Sequence, residues 1–487
     1  MQQKLIDTPA VPRRKSPRRD PHPRFKPDQV GQLDPINGCA EFQVPSDHLA
    51  REVRDLLAEL DCSELEGRYS SLGRHGFHPR HVLGVLIYGS LIGIHHSTKL
   101  ERVSETDAAF RLVSGGHWIS AGKLREFRRT HLEFFTRAIG QTLAMAQKRG
   151  LLDPKELAVD SVRLRAHAST KAARTLKRSK ERLEELAKVD PSSLAPEARK
   201  TWEEKRAKHE AAVALCEETG RTNLVTTSPS AGLLKFPDGA SGPGHRMTVT
   251  ACGVKSRMVV DILVDADAHD FGKLPGAVER ARSALEQAGV DVSHVQVAAD
   301  AGYWSEADLA YAAANRDHVD VLIAERKESA RKNDAGQPQF TAADFQFGSD
   351  GSVTCPAGRR LDGPFKDGDK LRYHGVGCGS CPQKDRCTKS SRRILTMKPD
   401  YQKAQQEMAA RMARPGARER YGKRIATVEP VFAQIEDRMG FRRVSSRHEP
   451  SVLAELALKV LAYNLGRLLS ARRLRRVPLV MAFSSTL

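Results

Sequence analysis

The spacing of apolar residues along the chain changes several times, and each change marks a segment. Between about residues 45 and 150 apolar positions recur every three to four residues, which predicts amphipathic helices. Leu49–Leu60 is one, and Pro79 opens another through Val82, Leu83, Val85, Leu86 and Ile87. Leu124–Gln147 reads as a single long helix, with Phe127, Leu132, Phe134, Phe135, Ile139, Leu143 and Met145 broadly on one side. The pattern then turns to short apolar runs, which predict strands over Glu156–Leu164, Val295–Ala299 and Val319–Ala324. Met247–Gly253 and Met258–Val264 read as a hairpin about Val254-Lys255-Ser256. Helical patterns over Phe271–Ala288 and Glu306–Asn315 alternate with the later strands. Residues 171–222 are dense in Lys, Arg, Glu and Ala and are broken by Asp190-Pro191, which predicts two exposed helices folded back on each other. Residues 328–400 are rich in Gly, Asp and Lys and follow neither period. Helices return over Gln402–Met412, Gly422–Met439 and Ser451–Leu474, the last with an arginine-rich end, Arg467, Arg472, Arg473, Arg475 and Arg476.

Three strands followed by alternating helices and strands imply an α/β fold with a mixed sheet and helices on its faces. This is the element order of a ribonuclease-H-like sheet. It is preceded by an all-helical domain and interrupted by a small Cys-rich insertion. The expected division is a basic disordered arm over 1–37, a helical DNA-binding domain over 38–150, and the first part of the core over 151–327 with its charged insertion at 171–222. The Cys-rich insertion at 328–400, a helical end of the core at 401–475 and a tail at 476–487 complete it. Helix-turn-helix binding and helical oligomerisation both remain open for the N-terminal domain.

Composition narrows the function. The 487 residues carry a formal net charge of +19, which favours polyanionic partners and above all nucleic acid. Arg13-Arg14-Lys15 and Arg18-Arg19 in the Pro-rich arm could track phosphates. The longest apolar run, Val82–Ile94, falls short of the roughly 20 residues that span a bilayer. No secretory h-region is visible at the N-terminus, so the expectation is a cytoplasmic, nucleoid-associated protein whose eight cysteines are reduced thiols.

Two aspartates stand at the ends of strand-like runs, Asp160 in Leu-Ala-Val-Asp and Asp300 in Val-Gln-Val-Ala-Ala-Asp. Glu429 follows in a helical stretch. Three carboxylates brought to one sheet edge from separate elements can hold Mg²⁺ or Mn²⁺ against a phosphodiester. Each alone could equally end a strand, cap a turn or face solvent. His269-Asp270 could be auxiliary to them, or Asp270 could cap the helix that follows. Cys378-x2-Cys381-x5-Cys387, with Cys355 upstream, has spacing compatible with a structural Zn²⁺ in a region almost without apolar core, with His374 in reserve. Unliganded thiols in a loop are the competing reading. Cys39, Cys62, Cys216 and Cys252 are scattered and read as structural.

Several blocks resemble the DDE transposases of bacterial insertion sequences, and within them the group named for insertion sequence eleven-eighty-two. Val297-Ala-Ala-Asp-Ala-Gly-Tyr-Trp-Ser305 is similar to that family's second-aspartate motif. Tyr421, Arg424, Val428-Glu-Pro-Val-Phe432, Ile435 and Gly440-Phe-Arg-Arg443, followed by Leu461-Ala-Tyr-Asn-Leu465, resemble its glutamate motif. Phe77-His-Pro79 with Leu83, Ile94 and Glu101, then Leu124-Arg-Glu-Phe-Arg-Arg-Thr-His131, resembles its N-terminal helical domain. The Cys-Pro pairs at 355 and 381 look like its cysteine-bearing insertion.

The resemblance implies that Asp160, Asp300 and Glu429 are the catalytic metal ligands. It implies that Tyr421 and Arg424 place the transposon-end DNA, beside a basic helical domain that includes Arg128 and Arg129. It further implies DNA cleavage and strand transfer by a protein that acts as a homo-oligomer on DNA. The chain departs from the family at three points. Glu436 stands where a lysine is usual, Gly244-His245-Arg246 where a Gly-Tyr-Asn-like block is usual, and Ser161-Val162-Arg163 where Gly-Thr-Lys is more common. A non-catalytic DNA-binding regulator derived from a transposase is the competing expectation.

Overall fold

The computed structural model describes residues 24–71, 73–326, 333, 336–348 and 350–476. The clusters Arg13-Arg14-Lys15 and Arg18-Arg19, the side chains of Arg473, Arg475 and Arg476, and the tail beyond 476 lie outside the described residues. The chain divides into two compact units between Phe127 and Arg128.

The first unit is helical. Its helices are α1 (Ala40–Gln43), α2 (Leu49–Ala58), α3 (Ser63–Gly67), α4 (Pro79–Leu91), α5 (Ser97–Thr106) and α6 (Ala108–Val113), and the division falls within α7 (Ala121–Thr130). Pro79 occupies the first turn of α4, where no N–H is needed, and the His78 ring accepts from the Arg80 N–H at 3.2 Å. Asp107 caps α6 by accepting from the N–H groups of Ala109 and Phe110. Helices α2, α4 and α6 pack together around Val53, Leu56, Leu83, Leu86 and Phe110. Gly84 makes this close approach feasible, because a Cβ there would lie 2.7 Å from the Val113 carbonyl. Residues 24–37, expected as part of a disordered arm, are tied down in the structure. Lys26 N–H donates to the Gly76 carbonyl, Gln29 N–H to that of Gly115, and Arg111 to that of Asn37.

The second unit is built on one mixed sheet. It begins with α8 (Leu132–Lys148) and β1 (Leu157–Arg165). The expected single helix over 124–147 is broken at His131, whose backbone (φ −117°, ψ 40°) leaves the helical region. A short pair, β2 (Ala173–Thr175) and β3 (Asn223–Val225), closes the base of a charged hairpin formed by α9 (Leu176–Ala187) and α10 (Pro196–Thr219). Asp190 caps the turn between these helices, and Gly220 ends α10 in the left-handed region (φ 65°). The chain continues through β4 (Gly232–Lys235), β5 (Ser241–Cys252), β6 (Met258–Asp265), α11 (Leu274–Gln287), β7 (Val295–Ala299), α12 (Glu306–Ala314) and β8 (Val319–Ile323).

In space the strands run β6-β5-β1-β7-β8, with β4 alongside the first residues of β5. The β6–β5 and β5–β1 pairs are antiparallel, and β1–β7 and β7–β8 are parallel. This is the ribonuclease-H-like order. Leu157, Ala158 and Val159 are buried in succession, as are Val297, Ala298 and Ala299, so both faces of the central strands are covered.

A second, small core follows. It comprises β9 (Gln346–Phe347), β10 (Val353–Thr354), β11 (Asp362–Asp367), β12 (Lys370–His374), α13 (Lys384–Cys387) and β13 (Ile394–Met397). Its buried apolar residues are Phe345, Val353, Leu361, Tyr373 and Leu395. Helices α14 (Pro399–Met412) and α15 (Ala417–Ala433) then return to the sheet, α14 against β8 and α15 chiefly against β1. A π-helical turn over Gln434–Arg438 leads towards α16 (Glu449–Arg476). Helix α16 packs on α8 and β6. There Asn464 bridges both backbone groups of Val259 and the Thr142 hydroxyl, so a buried amide is fully engaged. Among the described residues no helix is long and apolar enough to cross a membrane.

Candidate active site

The parallel pairing of β1 with β7 sets Val159 opposite Ala299. One step further along both strands comes Asp160 beside Asp300, on the same face of the sheet by strand alternation. Asp300 leaves its strand as the cap of a short 3₁₀ turn, and its Oδ1 accepts from the Gly302 N–H at 2.8 Å. The Asp-Ala-Gly sequence matters here: a Cβ on residue 302 would lie 2.8 Å from Asp300 Oδ1 and 3.1 Å from Asp270 Oδ2. Asp270 is thus brought to the same turn as Asp300.

Helix α15 lies over β1 and presents Arg424. Its Nη1 donates to Asp160 Oδ2 at 2.6 Å, with side-chain exposures of 10% and 19%. The Tyr421 ring lies 5.9 Å from the same guanidinium. Burial raises the Asp160 pKa to about 6; repulsion from Asp300 adds to this, and Arg424 opposes it. Asp300 is also raised, first by burial, against the Gly302 hydrogen bond and the positive charge of Arg424. The two carboxylates form a concentration of negative charge that one guanidinium only partly offsets. Tyr303 is fully buried beside them, and burial followed by the charge of Asp270 pushes its phenol well above the ordinary range.

The remaining expected residues fall in different places. Glu429 is exposed, a turn beyond Ile425, which is itself 49% exposed, and it makes no hydrogen bond or ion pair among the described residues. It follows Arg424 by five residues, about 140° around the helix. The structure therefore joins Asp160, Asp300 and Arg424 and leaves the Glu429 carboxylate outside the cluster. Among the described residues no three His, Cys, Asp or Glu side chains are arranged to hold a metal ion. Glu436 is half-buried in the π turn, where burial raises its pKa, and Arg438 is exposed. Arg129 is exposed on α7, but Arg128 is only 7% exposed. Arg128 donates to Ser445 Oγ at 2.9 Å and lies 3.6 Å from Glu455, so its charge is engaged internally.

The four cysteines of the small core lie around one cavity, though not drawn together tightly enough to form a metal-holding group. Cys355, Cys378, Cys381 and Cys387 all line one cavity of about 30 Å³. Burial raises the Cys387 thiol, and the other three thiols push in the same direction against Arg393. None of the eight cysteines is disulfide-bonded. Gly375 makes room for this cluster, since a Cβ there would lie 2.5 Å from Cys378 Sγ. His374 instead stacks on Phe365 at 4.8 Å.

Sequence reasoning weighed Asp270 without placing it and missed the role of its partner. Arg246 was visible only as a departure from the family block, yet among the described residues it is the largest fully buried side chain. Arg246 immediately precedes the strand expected from Met247, and the structure extends that strand back to Ser241, which places Arg246 inside it.

Two segments match known protein families. Residues 354–469 match the family described as "Transposase DDE domain", and residues 39–129 match one described as "Transposase domain". The first match spans the cysteine core, Tyr421, Arg424 and Glu429, while Asp160 and Asp300 precede it. Neither a curated protein nor a solved structure matches the chain. Such DDE domains in general use divalent metal ions and act on DNA. Together the two matches, a helical transposase domain and a DDE domain, indicate a DDE transposase.

Proposed function

We propose that this transposase, of the group named for insertion sequence eleven-eighty-two, binds the inverted-repeat ends of its element, cleaves DNA there and joins the freed 3′ end to target DNA. The observation that carries this reading is the apposition of Asp160 and Asp300 on neighbouring parallel strands beneath Arg424. Two half-buried carboxylates, both raised in pKa chiefly by desolvation, suit a divalent cation, and their oxygens suit Mg²⁺ or Mn²⁺. When bound, such a cation would supply Lewis acidity to the attacking and leaving oxygens. Asp160 and Asp300 would hold it. Glu429 is the proposed third ligand, which requires its carboxylate to turn in from the exposed side of α15. Arg424, stacked near Tyr421, would engage the phosphates of the transposon end, and exposed Arg129 would add charge for DNA.

The four thiols around that cavity are the proposed ligands of one structural Zn²⁺. Its role would be to fix a segment that buries five apolar residues among those described. Joining two ends to one target calls for at least a dimer on DNA.

The test is metal-dependent nicking and joining on DNA that carries the element's inverted repeats. Wild type should do both with Mg²⁺ or Mn²⁺, and Asp300→Asn neither. Binding without cleavage by wild type would identify a DNA-binding regulator instead. Strand joining retained in Asp300→Asn would overturn the assignment of the site. Hydrolysis without joined product would point to a nuclease.

A further inference from the structure

Arg246 sits on β5 with a fully buried side chain. Strand alternation and the β1–β5 register put it on the face of the sheet opposite Asp160, together with Ser161 and Thr248. A guanidinium without water must have its N–H groups engaged. Here Nε donates to the Asp267 carbonyl at 3.0 Å, Nη2 to the Ala268 carbonyl, and Nη1 to Ser161 Oγ at 3.0 Å. Nη1 also forms an ion pair with Asp270. One side chain thus ties three residues of the loop after β6 to the strand position next to Asp160.

The same loop is fixed from its other end. Buried Asp308 accepts from the N–H groups of Gly272 and Leu274 at 2.8 and 3.0 Å. Between these two anchors Asp270 is held against Gly302, the residue whose N–H donates to Asp300. Arg246 therefore reaches both aspartates through intermediaries: Asp160 through Ser161, and Asp300 through Asp270 and the Gly302 turn.

We propose that Arg246 is a positioning residue of the acidic centre, setting the relative placement of Asp160 and Asp300 from beneath the sheet through Ser161 and Asp270. The inference rests on the reading of those two aspartates as the cation-holding pair. Arginine is suited to the task because its planar fork makes several directed bonds at once, which lysine cannot reproduce. Displacing a reacting centre by about 1 Å can lower turnover by about a hundredfold. Arg246 is too deeply buried to touch DNA, so the effect should fall on kcat and on cation binding, and leave affinity for the DNA end intact.

The experiment uses the full chain and end-bearing DNA, with Mn²⁺ binding followed separately by the electron paramagnetic resonance signal of the free ion. Arg246→Lys should lower kcat by about ten- to a hundredfold and weaken Mn²⁺ binding, with KM for DNA unchanged. Ser161→Ala keeps every charge and should fold. It should lower kcat by about tenfold, the lower end of the range for such partners, in the same pattern. The paired change Arg246→Met with Asp270→Asn removes both buried charges and should restore thermal stability without restoring kcat. Recovery of wild-type turnover in that pair would mean that Arg246 merely neutralises Asp270, and the proposal would fail. Full turnover and full Mn²⁺ affinity in Ser161→Ala would also overturn it, whatever the folding of the Arg246 variants. Asp300→Asn separates the underlying reading: if it still cleaves, the acidic centre itself is misassigned. If it is dead while Ser161→Ala and Arg246→Lys are normal, only the positioning role falls.

Discussion

The central sheet and the cysteine-bearing core hold their shapes by different means. In the sheet, successive residues of β1, β7 and β8 are buried on both faces, and the strands bring Asp160, within β1, beside Asp300, which follows β7. In the cysteine-bearing core five apolar residues are buried among those described, β11 is exposed throughout, and four thiols line one cavity. The first region is ordered by desolvation of a large apolar surface. The second has little such surface, and the proposed Zn²⁺ would supply the missing order by joining the thiols. The proposed acidic centre lies on the sheet, and the cysteine-bearing segment comes in sequence between the Asp300 strand and the helix that carries Arg424.

The largest expected effect separates these two sources of order. Removing Zn²⁺ with a chelator, or substituting Cys378→Ser, should abolish amide exchange protection across residues 350–397, a change of several kcal/mol in that segment. Protection of β1, β7 and β8 should be unchanged. Simultaneous loss in both regions would break the comparison, and about one Zn²⁺ per chain retained in Cys378→Ser would refute the ligand set.

A core truncation should sharpen it from the other side. Ile323, fully buried at the end of β8, should cost about 2–5 kcal/mol of global stability when replaced by alanine, as such cavities do. Leu395→Ala removes a similar volume from the small core and should change only local exchange there. Equal shifts of the global melting temperature by the two variants would mean that the regions unfold as one.

Much of the sheet was legible because its strands are short apolar runs between turn residues, and Val295–Ala299 is found at its expected bounds. Side-chain direction was harder to read. The sequence places Glu429 and Arg424 on one helix, but the rotation of α15 on β1 decides which of them faces Asp160, and it is Arg424. Arg128 reads as a surface cation because its partner Glu455 is more than 300 residues away in sequence. The buried role of Arg246 depends on Asp270 and Ser161, each brought in by a different element, which no local pattern reveals. The break at His131 carries no Gly or Pro to announce it.

The pH dependence of the sheet region gives a further expected difference. Asp160 has its folded pKa raised from 3.8 to about 6, so between these values the folded protein binds the proton that the unfolded chain releases. Its stabilising contribution is therefore greatest at low pH and is lost as pH rises through about 6, a change of up to about 3 kcal/mol. Above pH 6 a divalent cation bound to the folded state should restore stability by mass action. Asp160→Asn should remove the pH step and diminish the Mg²⁺ response in thermal melts. The melting of the cysteine-bearing segment should follow Zn²⁺ and remain indifferent to Mg²⁺. A wild-type melt that is flat between pH 5 and 8 would show that Asp160 is not under this strain.

The smallest effect probes how tightly the thiols are gathered. Gly375 takes an ordinary backbone conformation, so its requirement is one of space: a Cβ there meets Cys378 Sγ at 2.5 Å and also approaches the Arg393 carbonyl. Gly375→Ala should cost about 1–3 kcal/mol of local stability through overpacking. If the thiols are held by a shared ion, the loss should appear as weaker Zn²⁺ retention against a competing chelator, with the sheet melt unchanged. If Cys378 is free to turn away, alanine would be accommodated by rotation of that side chain and retention would not change. The same substitution thus distinguishes a thiol fixed by three partners from one that only lines a cavity, and it does so without removing any sulfur.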